Sequence, residues 1–226
     1  MMEARSIVLA IALFAGITLS SVLSAQRKSD FATVDARDPV RLMDSASNIM
    51  ISELESRRAE FREDPTKLSA LVERVLLPHF DVDYAARLVL GKHWRAATSD
   101  QRQRFINAYY GSLMSNYGDA LLEFTGDRIK VLPSPVAADA TSATVRTEVK
   151  RSNGQKIPVN YSLRKTDTGW KAWDVVIEGI SYVKSFREDF GAEIDQKGLE
   201  AVIQRLESQN RAARTGGAVK LGTAWP

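Results

Sequence analysis

The 226-residue sequence contains no cysteine and only two histidines. The absence of cysteine excludes disulfide bonds, thiolate nucleophiles, cysteine-ligated zinc and iron–sulfur clusters. His79 could be grouped with Asp81 and Asp83, but a spacing of two does not place three ligands on one helical face. His93 follows a lysine in a predicted turn and has no acidic partner nearby in the sequence. We therefore expect neither a metal ion nor another cofactor.

The sequence also lacks the glycine patterns of common enzyme classes. No glycine-rich phosphate-binding loop is present. Gly179 and Ser181 begin like the nucleophile elbow of a hydrolase, but Val183 occupies the position of the second glycine. The net charge of +3 is a small basic excess that does not indicate a nucleic-acid partner. These absences favour a protein that is not an enzyme and does not bind nucleic acid.

A group of basic residues surrounds one predicted turn. Its members are Arg87, Lys92, Arg95, Arg102 and Arg104. They form either an ordinary solvated face or a patch for lipid headgroups or an acidic partner.

The two ends of the chain differ in composition from the middle. Residues 1–25 have the order of a secretory signal peptide: charged residues, an apolar run over 7–19, and small residues up to Ala25. An uncleaved N-terminal anchor is the alternative. Residues 26–37 read as a flexible leader and 211–226 as a disordered tail, which leaves 38–210 as the folded domain. Export without cysteine favours a bacterial periplasm.

Apolar residues recur at helical spacing in the first half of the domain and near its end. Asp38–Pro39 and Asp64–Pro65 are typical helix starts, with aspartate as the N-cap and proline in the first turn. The apolar residues of the longest predicted helix spread over about half its circumference, which predicts packing on more than one side. The predicted helices cover about 38–61, 64–78, 83–90, 98–124, 183–195 and 199–209.

Between these helical regions the apolar period changes from 3.6 to 2, which predicts strands. We expect four strands, beginning at Ile129–Val131 and ending at 170–177, joined by short turns into an antiparallel meander. In the last strand, strict alternation places Trp173, Val175 and Ile177 on one face. The order of helices, sheet and helices predicts an α+β fold with helices on one face of a curved sheet.

Several motifs, in order along the chain, resemble those of the MlaC family of periplasmic phospholipid-binding proteins, also known as toluene tolerance proteins. They read LPHFD at 77–81, LGKHW at 90–94, WKAWDV at 170–175 and EGISYV at 178–183. The resemblance implies a fold like that of nuclear transport factor 2, with a deep apolar cavity between sheet and helices.

The resemblance also implies a shuttle that maintains outer-membrane lipid asymmetry. It would exchange phospholipid between an outer-membrane lipoprotein–porin complex and an inner-membrane ABC transporter with its substrate-binding ring.

From the apolar pattern and this implied cavity we predict three groups of lining residues, each of which could equally be ordinary core. From the long helix they are Phe105, Tyr109, Leu113 and Tyr117. From the sheet they are Val145, Val149, Val159, Tyr161, Trp173, Val175 and Ile177. At the mouth they are Ile180, Val183 and Phe186.

Two other functions remain open from the sequence. The same type of cone hosts ketosteroid isomerases, which need an aspartate base facing a tyrosine or a protonated acid. Asp174 with Tyr161 or Tyr182 is the candidate set, but strand parity directs Asp174 away from the cavity. The other alternative is an interaction module with a solid core, in which the same apolar residues fill the interior.

Overall fold

The computed structural model describes residues 33–122, 129–150 and 154–214, without the side chains of 114–121 and 214. Helices and strands follow the α+β order that the periodicity predicts. The helices in the described ranges are α1 (Pro39–Glu63), α2 (Pro65–Val75), α3 (Val82–Leu90), α4 (His93–Ala96), α5 (Ser99–Leu121), α6 (Tyr182–Lys197) and α7 (Leu199–Arg214). A short 3-10 turn, Leu77–His79, joins α2 to α3.

The helix starts are fixed by the predicted aspartates. The Asp38 carboxylate accepts hydrogen bonds from the backbone N–H groups of Val40 and Arg41 at the start of α1. Asp64 accepts one from Thr66 at the start of α2. Each aspartate thereby satisfies N–H groups that have no partner inside the helix, and the proline that follows needs none.

The sheet has one strand more than the four predicted. Its strands are β1 (Ile129–Val131), β2 (Ser142–Lys150), β3 (Lys156–Thr166), β4 (Gly169–Ile177) and β5 (Ile180–Ser181), paired antiparallel in sequence order. The additional strand β5 has only two residues, too few to show an alternating pattern. It pairs with Val176 and Ile177 directly after the turn at Glu178–Gly179.

Part of each predicted irregular end is described, and each described part makes specific contacts or is helical. In the leader, Val34 packs against two apolar clusters, and the carbonyl of Ala36 accepts a hydrogen bond from the Trp170 N–H at 2.9 Å. Helix α7 continues to Arg214, so the first residues of the predicted disordered tail are helical. The polar composition of these segments gave no indication of the contacts that Val34 and Ala36 make with the folded domain. Residues 1–32 and 215–226 lie outside the described part of the chain.

The apolar core of the described residues is divided into separate clusters. The helix cluster joins α3, α5, α6 and α7 and includes Phe105, Tyr109, Phe190 and Ile203. The α1–α2 cluster is built around Leu54, Phe61 and Leu71. The α1–sheet cluster contains Leu42, Met43, Val145, Leu163, Trp170 and Ala172, and the sheet-end cluster contains Val149, Ile157, Val159 and Ile177. Val34, Phe80 and Tyr161 each pack against two of these clusters, so the clusters are neighbouring parts of one interior.

Candidate functional site

The apolar face of the sheet consists of cross-strand rows. Two successive rows are Val145–Tyr161–Val175 and Thr147–Val159–Ile177. Residues paired in an antiparallel sheet point to the same face, so these rows form one continuous surface. The structure therefore brings six of the seven predicted sheet residues onto or beside one surface, since Val149 extends it by pairing with Ile157.

Helix α1 covers only one end of this face. Leu42 and Met43 pack against Val145, Leu163 and Trp170, which are all nearly inaccessible to solvent. This end is a conventional helix-on-sheet core, and Val145 belongs to it.

The other end of the face is assembled differently. Among the described residues, the neighbours of the sheet-end cluster are Ile129, Tyr161, Val175 and Tyr182, and α1–α5 contribute none. Tyr161 and Val175 are only half-buried, although they lie in the middle of the sheet. Burial raises the pKa of the Tyr161 hydroxyl, and a hydrogen bond with Thr147 opposes that shift. Val149, Ile157, Val159 and Ile177 are nearly inaccessible to solvent, whereas Tyr161 and Val175 beside them keep part of their surface accessible.

The predicted residues of α5 lie mainly on a different surface. Phe105 and Tyr109 stack on each other with ring centroids 5.8 Å apart, and both meet Phe190 edge-on in the helix cluster. Leu113 is half-buried at the edge of that cluster. The structure places Phe105 and Tyr109 among helices and away from the sheet rows. Tyr117 has a side chain outside the described part.

Trp173 departs from the predicted alternation because β4 contains a bulge. Ser162 pairs with Asp174 but Leu163 pairs with Ala172, so Trp173 is an extra residue without a partner in β3. Its ring meets Tyr84 of α3 edge-on at 5.6 Å and packs against the helix cluster. The prediction that Trp173 shares a face with Val175 and Ile177 is therefore wrong, because a bulge shifts the strand parity by one residue.

The three predicted mouth residues separate from one another. Ile180 is exposed, with 57% of its surface accessible, whereas Val183 is buried in the helix cluster. Phe186 is half-buried and contacts the rings of Tyr109 and Tyr182.

Asp174, the candidate base of the isomerase hypothesis, is buried and serves the backbone. Its two carboxylate oxygens accept hydrogen bonds from the Ser181 hydroxyl at 2.6 Å and from the Val183 N–H at 3.0 Å. Because Asp174 pairs with Ser162, it lies on the face opposite Tyr161 and Val175. The carboxylate holds β5 and the start of α6 against β4.

Tyr110 of α5 is a partly buried polar residue, near Glu73 of α2, that the sequence analysis did not select. Its hydroxyl oxygen is buried, yet no described group lies within hydrogen-bonding distance. Burial, together with the nearby carboxylate of Glu73, raises the pKa of Tyr110 to about 12. In the sequence it resembles any apolar position of an amphipathic helix, so no local signal distinguishes it.

Most of the basic group around the predicted turn is engaged in contacts within the protein. Lys92 pairs with Asp195 at 2.7 Å, and Arg104 pairs with Glu200 and Glu207 at 2.8 and 2.9 Å. The guanidinium of Arg102 lies over the Trp94 ring at 5.0 Å and donates to the Trp94 carbonyl. These contacts favour a structural role for the three residues.

Other features of the described residues offer no competing site. Two surface depressions of about 270 and 330 Å³ lie beside His93 and beside Arg104, and no predicted cavity residue lines them. No group of three or more histidine, cysteine, aspartate or glutamate side chains is placed to hold a metal ion within those same ranges. Of the helices described, none combines the length and apolar character needed to cross a membrane.

The model of the MlaC protein family matches residues 44–208, which is most of the chain. The chain belongs to the MlaC family.

Relatives and a solved structure agree with this MlaC assignment. Toluene tolerance protein Ttg2D of Pseudomonas putida is 31% identical over 167 residues, which are 74% of this chain and 77% of the relative. The intermembrane phospholipid transport system binding protein MlaC of Haemophilus influenzae is 23% identical over 75% of this chain and 80% of its own length.

The solved structure is a phospholipid-binding protein from Ralstonia solanacearum in complex with a phospholipid. It superposes with a TM-score of 0.70 at 23% identity, over 76% of this chain and 96% of that one. The comparison confirms the predicted fold.

Proposed function

We propose that this MlaC-family chain binds phospholipid, with the acyl chains beside Tyr161 and Val175 on the sheet face, and carries it without catalysing a reaction. The observation that supports this most strongly is that Tyr161 and Val175 remain partly accessible although they lie in the middle of the sheet. Val149, Ile157, Val159 and Ile177 form an apolar surface for which α1–α5 supply no described packing partner, and half-buried Tyr161 and Val175 border it. An acyl chain is a ligand that such a surface would shelter from water.

The energetics suit a carrier. Sheltering one methylene group from water contributes about 0.8 kcal/mol, so two acyl chains of about 30 such groups are stabilised by about 20–25 kcal/mol relative to water. The relevant reference is a bilayer, in which the chains are already sheltered. Transfer from membrane to protein is therefore close to balanced, which allows both uptake and release.

The headgroup belongs at the solvent-exposed rim. Exposed Ile180 and half-buried Tyr182 lie where the sheet face meets α6. With the headgroup in water, the protein discriminates weakly among phospholipid headgroups. A strict preference for one headgroup in a lipid-exchange assay would contradict this arrangement.

Family membership and the N-terminal sequence support a location and a set of partners for this proposal. Residues 1–25 act as an export signal, and the mature chain works in the periplasm. There it exchanges phospholipid with an inner-membrane ABC transporter and its substrate-binding ring, and with an outer-membrane lipoprotein–porin complex. The occupied carboxylate of Asp174 supports a role without catalysis, because both of its oxygens already accept hydrogen bonds.

Mass spectrometry of organic extracts tests the proposal directly. Protein purified without detergent is expected to release phospholipid in a fixed molar ratio. Release of no lipid, together with no thermal shift when phospholipid vesicles are added, would favour the interaction module with a solid core.

Val175→Trp and Val176→Trp form a matched pair for locating the acyl chains. The two residues are adjacent in β4 and point to opposite faces, because Val175 pairs with Tyr161 and Val176 with Asn160. Val175→Trp is expected to fill the lipid space and to reduce copurified lipid severalfold at nearly unchanged stability. In a solid core the same change would cost about 1–3 kcal/mol through overpacking.

Val176→Trp is the control, and we expect it to retain the wild-type lipid content. If the folded Val175→Trp protein carries as much lipid as the wild type, the acyl chains lie elsewhere.

A further inference from the structure

The apolar row of the sheet that contains Ile177 continues onto the edge strand β5. Ile177 pairs with Ile180 across the β4–β5 turn, so their two side chains point to the same face. The hydroxyl of the next residue, Ser181, bonds to Asp174 on the opposite face, as the alternation of a strand requires. Solvent accessibility rises along the row, with exposed fractions of 1, 5, 7 and 57% for Thr147, Val159, Ile177 and Ile180. The row therefore begins in the interior and ends in water at the border of the sheet.

Ile180 is also a neighbour of the partly accessible surface that the proposed lipid covers. Val175 lies on the same face two residues before Ile177, which makes Ile180 its diagonal neighbour across the β4–β5 pair. Diagonal neighbours on one face are about 7–8 Å apart, close enough for one acyl chain to touch both. Tyr182, which follows β5, packs against the sheet-end cluster and is only half-buried. An acyl chain beside Val175 can thus reach solvent at β5 without leaving the apolar face.

The described chain covers other borders of this face. At one end, Leu42 and Met43 of α1 belong to the α1–sheet cluster, and Val131 and Val136 pack against that cluster on the side of β1. Among the large apolar side chains in the described ranges, Ile180 is the exposed one. Single exposed apolar residues are common on protein surfaces, so it is the position of Ile180 at the end of the row, and not its exposure alone, that indicates a role.

We propose that phospholipid enters and leaves the sheet face over β5, with its acyl chains passing across Ile180. This inference rests on the proposed lipid-carrier function and adds a route to it. An acyl chain that crosses a polar border exposes its methylene groups to water, which slows the transfer. An apolar side chain at the border shelters part of the acyl chain during the crossing. Because this contact is made only in passing, it accelerates uptake and release by the same factor and leaves the equilibrium lipid content unchanged.

Lipid-exchange rates of Ile180 variants test the route. The exported protein, carrying unlabelled phospholipid, is mixed with vesicles of deuterated phosphatidylethanolamine and phosphatidylglycerol, and it is re-isolated at intervals for mass spectrometry of its lipid. Ile180→Ser is expected to slow the exchange by at least about threefold, the factor that corresponds to one methylene-sized group. Its equilibrium lipid content should stay at the wild-type value. Ile180→Leu, which keeps an apolar side chain, should exchange lipid at the wild-type rate.

A reversible block at the same position provides a second measurement. Because the chain contains no cysteine, Ile180→Cys introduces a single thiol. A bulky methanethiosulfonate adduct on that thiol is expected to slow both uptake and release, and dithiothreitol, which removes the adduct, should restore the rate. Thr144→Cys is the matched control, because Thr144 is exposed on β2 and points to the face opposite its neighbour Val145. The same adduct at that position should leave the exchange rate unchanged.

The possible outcomes separate the route from the carrier function. Wild-type exchange rates in Ile180→Ser and in the adduct of Ile180→Cys would overturn the route and leave the carrier function intact. Equal slowing by the adducts at positions 180 and 144 would also overturn it, since the effect would not depend on the β5 border. So would a reduced equilibrium lipid content of Ile180→Ser, because Ile180 would then contact the bound lipid and not only the passing one. Absence of lipid from the wild type would instead reject the carrier function.

Discussion

The helix cluster and the sheet-end cluster are both rich in apolar residues, but they bury them in different ways. In the helix cluster, the rings of Phe105, Tyr109, Phe186 and Phe190 contact one another with centroids 5.4–6.0 Å apart, and α3, α5, α6 and α7 all contribute. In the sheet-end cluster, the described members come from strands, with Tyr182 alone from a helix. Within the described ranges, rings from several helices interlock in the helix cluster, whereas partly accessible Tyr161 and Val175 border the sheet-end cluster.

If the proposed function holds, residues of the helix cluster stabilise the fold and residues beside the sheet-end cluster contact the lipid. The helix cluster is also tied at its rim, where Arg104 of α5 bonds to Glu200 and Glu207 of α7, and Arg205 of α7 bonds to Glu193 of α6. These ion pairs fix the positions of α5, α6 and α7 relative to one another. Binding sites with weakly packed walls depend on such a rigid neighbour to remain open.

Phe105→Ala should produce the largest effect on the helix cluster. The ring is completely buried, and removing it leaves a cavity that costs about 3–5 kcal/mol of unfolding free energy. Chemical denaturation measures this loss. The folded fraction should still copurify with lipid at the wild-type ratio, in contrast to Val175→Trp.

We therefore expect Phe105→Ala to lower stability but keep lipid, and Val175→Trp to lose lipid at nearly unchanged stability. If folded Phe105→Ala loses lipid as completely as Val175→Trp does, the two clusters line one common cavity. The division between scaffold and binding face would then be wrong.

The sequence predicted the elements of the fold well, because their signals are local. Asp38 and Asp64 are N-caps that mark the starts of α1 and α2, and the alternation of Val145, Thr147 and Val149 indicates the buried face of β2. The two predictions of sheet structure that failed also have physical causes. The bulge at Trp173 reverses the parity of a strand whose composition is otherwise regular, and strand β5 is too short to leave a pattern.

The candidate site was less predictable than the fold. The periodicity of α5 shows that Phe105, Tyr109, Tyr110 and Leu113 are apolar or aromatic positions, but it does not show what each one packs against. In the structure Phe105 and Tyr109 pack in the helix cluster, and the Tyr110 hydroxyl has no hydrogen-bond partner in the described part of the chain. That distinction depends on tertiary contacts, which periodicity does not encode.

Asp174 connects the sheet to the helix cluster. We expect its substitution to lower the free energy of unfolding by less than Phe105→Ala does. The carboxylate on β4 accepts hydrogen bonds from Ser181 and from the Val183 N–H at the start of α6. Asp174→Asn weakens these bonds to a charged, buried acceptor, so we expect a loss of about 1–3 kcal/mol in thermal or chemical unfolding.

Asp189→Asn is the matched control for Asp174→Asn. Asp189 is exposed on α6, and its change should stay within about 0.5 kcal/mol of the wild type. Equal stability of both variants would show that Asp174 does not hold the two regions together.

The smallest expected effect concerns His79, which lies in the turn between α2 and α3, where the helices meet the sheet. It precedes Phe80, which bridges to Ala172 of β4, and Asp81, which is 3.2 Å from Arg164 of β3. Burial, and to a lesser extent Lys171, lowers the pKa of His79 below 6.5. The unfolded chain therefore binds the proton more readily than the folded chain, so stability decreases as the pH falls through 6.5 toward the folded-state pKa. The melting temperature should fall more between a pH above 6.5 and a pH below it for the wild type than for His79→Gln.

Lys171→Gln should remove only the smaller part of this difference. Identical pH profiles for the wild type and His79→Gln would show that protonation of His79 does not affect stability.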